Sequence, residues 1–203
     1  MSPVRLPFIA AVALGFAAAP ALAQDQDEQL WIMLAASTQL SQGVGLEFET
    51  NQRLSDDRGG LYESQYLAAV SVEIANGVTL TGGVNRVGSL KNGRVSSTEW
   101  RPRQQIGFPI ATLGSGKVAG RVRVGQLFRS DGNEVGHRVR PAISYTRPLS
   151  DTLELQLAHE SYFDLNTTEF GQKAGYERMR NSAALSFPIA RRVDARLGYM
   201  NQY

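Results

Sequence analysis

The sequence predicts an all-β fold, an up-and-down antiparallel transmembrane β-barrel of about ten strands, and three observations predict it. From Asp25 onward there is almost no helical periodicity and there are about ten runs of alternating polar and apolar residues. Turn-forming clusters separate the runs. The chain stops on Tyr203, inside a run in which Val193, Ala195, Leu197, Tyr199 and Tyr203 share one side of an extended chain and Asp194, Arg196, Gly198 and Gln202 share the other.

In chain order the runs predict strands over 29–37, 44–54, 62–74, 78–86, 98–111, 118–129, 137–147, 153–164, 176–187 and 193–203. Between them lie SQGVG, DDRGG, ANG, LKNGR, LGSGK, SDGNE, PLSD, NTTEFGQKAG and PIARR, each rich in residues that turn the chain. About ten such strands are expected to close, because closure removes the unpaired edges. The pattern is weakest near 38–45, and long loops are expected at 87–97 and 165–175. If both termini face the periplasm, those loops lie on the periplasmic side and short turns face outward, the reverse of the usual asymmetry.

The strands of the second half are two-faced. One side carries Ile106, Phe108 and Ile110, then Val122, Val124 and Phe128, then Val139, Ile143 and Tyr145, then Leu153, Leu155 and Leu157, then Ala183, Leu185 and Phe187. The other carries Glu99, Arg101 and Arg103, then Arg121, Arg123 and Arg129, then Arg138 and Arg140, then Glu154, Gln156 and Glu160, then Arg178, Arg180 and Ser182. Alternation alone fits a soluble barrel with a greasy interior equally well. The basic residues favour the opposite orientation: 18 are Arg and 3 are Lys, with Lys91, Lys117 and Lys173 all placed in turns or loops. Arginine's planar fork suits crowded, partly desolvated pairs. Folding the last hairpins sets Arg140, Glu160 and Arg180 abreast, so an ion-pair network of Arg138, Arg140, Glu154, Glu160, Arg178 and Arg180 is expected to fill the lumen.

Residues 1–23 read as a secretory signal: Arg5, the apolar run LPFIAAVALGFAAAP, and small residues before Gln24. The apolar run is shorter than the roughly 20 residues needed to span a bilayer as a helix. The barrel is therefore expected over residues 24–203, in the outer membrane. A formal net charge of +2 offers no large basic field, so no nucleic-acid partner is expected. With no cysteine and two histidines, neither a thiolate site nor a zinc site is expected, and no cofactor.

Several stretches together resemble a family of uncharacterised Gram-negative proteins known as a domain of unknown function and regarded as outer-membrane barrels: DEQLWIML, EWRPRQQIGFP, GHRVRPAISYTRPL, HESYFDLN, YERMRNSAALSF and RLGYMNQY. The family commonly has Asn where His159 stands here. The resemblance implies a fold and a location, and no catalytic residues. The ending RLGYMNQY also resembles the C-terminal signal read by barrel-insertion machinery, from which Asn201 departs. Outer-membrane lipid and that machinery are the expected partners, and the barrel is expected to be a monomer.

Three roles are open: a structural or interaction barrel, a narrow pore, and a lipid-modifying enzyme. GSGKV lacks the spacing and the hydroxyl of a phosphate loop and reads as a turn, and the NTT of Asn166–Thr168 reads as polar loop. HES places His159 and Ser161 on the apolar side, with Glu177 expected nearby across the next hairpin, a nucleophile, base and orienting acid. This resembles the lipid A deacylase family, which also has His-x-Ser on a strand.

Overall fold

The computed structural model describes residues 8–12 and 27–203; the cleavage point expected before Gln24 lies outside the described residues. A short strand, β1 (Phe8–Val12), precedes ten long ones: β2 (Gln29–Ser41), β3 (Val44–Ser55), β4 (Gly60–Ala75), β5 (Val78–Lys91), β6 (Arg94–Leu113), β7 (Gly116–Arg129), β8 (Val135–Pro148), β9 (Glu154–Asp164), β10 (Gly175–Ala190) and β11 (Val193–Gln202). β2 to β11 form one antiparallel meander, each strand bonded to its sequence neighbours, and β1 completes the ring.

Every one of the ten strands read from the sequence is present, and none is added near 38–45. The loop expected at 87–97 does not form. There β5 and β6 run on to Lys91 and Arg94 and meet in a two-residue turn, with Asn92 and Gly93 at φ 53° and 72°. Positive φ at both positions is what a tight hairpin turn matching the strand twist requires, and Asn-Gly supplies it. The final strand does not pair directly with β2 as expected. β1 lies between them, parallel to β11 and antiparallel to β2. Tyr203 still extends the ladder, exchanging both backbone bonds with Met179 at 2.9 and 3.0 Å.

Polar and apolar faces are inverted relative to a water-soluble globule. Phe48, Val70, Ile143 and Leu157 point outward and are 41–52 % exposed, whereas Asn51, Glu99, Tyr162 and Asp164 point inward and are 3–8 % exposed. A few apolar residues, Leu67, Val87 and Leu127, are buried as well.

Close packing of strands depends on glycine at particular points. A Cβ on Gly83 would stand 2.7 Å from both the Ala68 carbonyl oxygen and Ala69 Cβ, while Gly107 has nothing within 4 Å. Tyr145 covers Gly116 and Phe108 covers Gly120, so the aromatic rings occupy space that any side chain there would claim. Gly83→Val is expected to destabilise the fold by about 1–3 kcal/mol through overpacking and Gly107→Val to change it little, as equilibrium unfolding of the refolded barrel will measure.

Candidate functional site

Two constellations carry chemistry, one on each face of β9. The inner one is built around Glu160 and Tyr162. Glu160 bridges Arg121 and Arg140, the latter at 2.6 Å, and accepts the Tyr162 hydroxyl at 2.7 Å. Tyr162 in turn accepts from Arg140 at 2.7 Å and from Arg180 at 2.5 Å, and both guanidinium groups lie over its ring. The β9–β10 register sets Arg180 opposite Glu160, as read from the sequence.

Of the other expected members, Arg138 clasps Asp164 with two bonds, at 2.5 and 3.1 Å, and Arg178 pairs with Glu177. Glu154 receives the Gln156 amide at 2.9 Å. Arg53 pairs with Glu63 at 2.7 Å and stacks on Trp31, which Arg180 also approaches, at 4.9 Å. That contact ties β10 to β2 and β3 beside the seam filled by β1. Sequence reading missed Tyr162, Asp164 and Trp31, although the first two alternate in phase with Glu160.

The loop between β9 and β10 folds over the mouth at the end where β2 begins and β11 finishes. Asn166 accepts the His137 N–H at 2.8 Å and donates to the Val135 carbonyl at 2.9 Å. Gln172 donates to the His137 carbonyl, and Glu169 caps the N–H groups of Asn133 and Glu134. Beneath lies a polar vestibule of about 410 Å³, lined among others by Glu99, Arg101, Arg138, Phe170 and Lys173. At the same end Asp27 accepts Ser55 Oγ at 2.5 Å and Gln29 Nε2 at 2.6 Å. Partial burial works to raise its pKa, but these bonds and the Arg58 charge outweigh it and hold the carboxyl below its ordinary value.

The outer constellation faces away from the barrel. His159 Nε2 lies 3.0 Å from Ser161 Oγ, and His159 Nδ1 lies 2.7 Å from Asn181 Oδ1. The register pairs His159 with Asn181 directly. Glu177, the acid expected beside them, is not part of this chain of bonds. A bulge between Tyr176 and Arg178 takes it out of the alternation, and its carboxylate goes to Arg178. Asn181 takes the third place. With Asn181 Oδ1 facing Nδ1, the neutral tautomer that fits both contacts has its proton on Nδ1 and its Nε2 lone pair toward the Ser161 hydroxyl. No group of three or more metal-ligating side chains occurs among the described residues.

An antiparallel meander with charge enclosed and apolar side chains displayed defines a barrel of inverted polarity. The profile of the family described as "Protein of unknown function (DUF2490)" matches residues 28–203, and the chain belongs to that family. It is also 30% identical over 186 residues to an uncharacterized protein of Methylorubrum extorquens, covering 87% of this chain and 78% of that one. No solved structure matches.

Glu160→Ala would leave Arg121 and Arg140 without their shared carboxylate, an expected loss of about 3–5 kcal/mol in a denaturant titration. Asp27 contributes stability that is present above its unfolded pKa of about 4 and is lost as pH falls through its lower folded value. Asp27→Asn should therefore lower stability at pH 7, and the difference from the wild type should shrink as pH falls below about 4, as unfolding measured across that range will show.

Proposed function

We propose that the chain is a small outer-membrane barrel, exported by its leader, with a lumen filled by ion pairs and a structural or interaction role. The observation that carries this reading is the inverted polarity: an outward face of Phe48, Val70, Ile143 and Leu157 around enclosed arginines and carboxylates. In hydrocarbon every backbone group needs an internal partner, and a closed ladder provides one. β1 falls within the leader, so on this reading the exported barrel has ten strands and its closure is a direct pairing of β11 with β2 in place of β1. Filling is supported by Glu160 and Tyr162 bridging several arginines, and by the β9–β10 loop bonded across one mouth. The partners are outer-membrane lipid and, through the strand ending at Tyr203, the insertion machinery. The barrel acts as a monomer.

A second reading, a lipid-modifying enzyme, is favoured by one observation: the outward His159–Ser161 hydrogen bond.

Fractionation of expressing cells should place the protein with outer-membrane lipid and leave none in the soluble periplasmic fraction; the reverse distribution removes the membrane reading. Purified barrel in a planar bilayer should pass no steady current, and stable conductance steps would contradict the filled lumen. Leu157→Arg on the outward face should cost about 2–4 kcal/mol of folding stability in vesicles, whereas the same change on a water-facing surface would cost almost nothing.

A further inference from the structure

The outward residues of β9, read toward the end of the barrel where β11 finishes, are Leu155, Leu157, His159, Ser161 and Phe163. Phe163 stacks edge-on with Tyr176 at 5.4 Å, an aromatic pair of the kind that marks the boundary between hydrocarbon and headgroup. Leu155 and Leu157 pair with Leu185 and Ala183, an apolar stretch. His159, Ser161 and Asn181 thus sit between greasy residues and the Phe163–Tyr176 aromatic pair. In a bilayer, the carboxylic ester groups of lipids occupy that level. Asn181 also pairs with Asn201, two residues before Tyr203, which keeps the site in the half of the barrel nearer the end of β11. Beside Ser161 the β8–β9 ladder is interrupted between Val139↔Phe163 and Ala142↔Glu160, where Pro141 has no N–H to give.

We propose that Ser161, His159 and Asn181 form an acyl-ester hydrolase site whose substrate is a carboxylic ester of a membrane lipid. The proposal rests on the reading that this face meets lipid. Ser161 Oγ attacks the ester carbonyl carbon while His159 Nε2 takes the hydroxyl proton. The tetrahedral intermediate collapses with cleavage of the ester C–O bond, and the imidazolium gives its proton to the departing alcohol oxygen. Water then attacks the acyl–Ser161 carbonyl as His159 takes its proton, and the intermediate collapses with cleavage of the acyl C–Oγ bond while the imidazolium returns the proton to Ser161 Oγ, releasing a fatty acid. Asn181 is a positioning residue: its oxygen holds the Nδ1 proton and so fixes the tautomer that leaves Nε2 free to act. A neutral amide in this place stabilises the imidazolium less than a carboxylate would.

The test uses the full mature barrel, refolded and checked for the heat-modifiable gel mobility of a closed barrel. A fluorophosphonate probe in detergent should label the wild type on Ser161 and leave folded Ser161→Ala unlabelled. Vesicles of phosphatidylethanolamine, and separately vesicles carrying lipid A, distinguish the two sources of ester by which fatty acid is released. Release should fall about 100-fold or more in Ser161→Ala and His159→Asn. Asn181→Ala should lose most of the rate, and Asn181→Asp should restore it with an upward shift in the pH at which the base titrates. A hydrogen-bonded cluster with only a structural role would not produce that pattern. Absence of label on a correctly folded barrel, or equal fatty-acid release by Ser161→Ala, overturns the hydrolase. Labelling together with a periplasmic, membrane-free location would instead overturn the lipid reading and leave the nucleophile standing.

Discussion

Enclosed charge is the constraint on which the structure depends. A ring of strands that turns its apolar side chains outward must put its ionised groups inside, and an unpartnered charge there costs several kcal/mol. Glu160 meets this requirement by serving two guanidinium groups at once, and Tyr162 extends the arrangement by donating to Glu160 while accepting from Arg140 and Arg180. Arginine is the residue that allows it, since its planar fork can satisfy one acceptor and still stack on a ring.

β9 links the two faces. Its even-numbered residues, Glu160 and Tyr162, are fixed from inside by arginines of β7, β8 and β10, and its odd-numbered residues, His159 and Ser161, project on the other side. A strand locked by its inner side chains holds its outer ones in register without needing a loop to position them. Regular strand geometry also sets the spacing of the outward groups: a histidine and a serine two residues apart lie on one face, and the direct cross-strand partner of the histidine is close enough to bond its other nitrogen.

Much of this was legible in the sequence. Alternation with period two gave all ten long strands and both faces of the second half, because a strand buried on one side and exposed to a different medium on the other leaves a strict pattern. The segment 87–97 misled because its small polar residues, Gly88, Ser89, Ser96 and Ser97, resemble loop composition, while the Asn92–Gly93 turn that keeps the strands paired is a two-residue signal. Glu177 misled for a different reason. A bulge inserts one residue and resets the alternation, and nothing local in YERMR marks where it falls. Asn181 was reachable, since it alternates in phase with Ala183 and Leu185, but only a settled hairpin register brings it opposite His159. β1 at the seam follows from no periodicity in the strands it joins.

The chain contains no cysteine, so a single thiol can be introduced at any position and read without background. The most direct measurement is the accessibility of spin labels at Leu157→Cys and Ile143→Cys, compared with Gln105→Cys and Ser182→Cys, in the barrel reconstituted into vesicles. Collision with lipid-soluble oxygen should dominate at the first two sites and be weak at the second two. High accessibility of the Leu157 and Ile143 labels to a water-soluble nickel chelate, with oxygen collisions concentrated at the inward sites, would contradict the account.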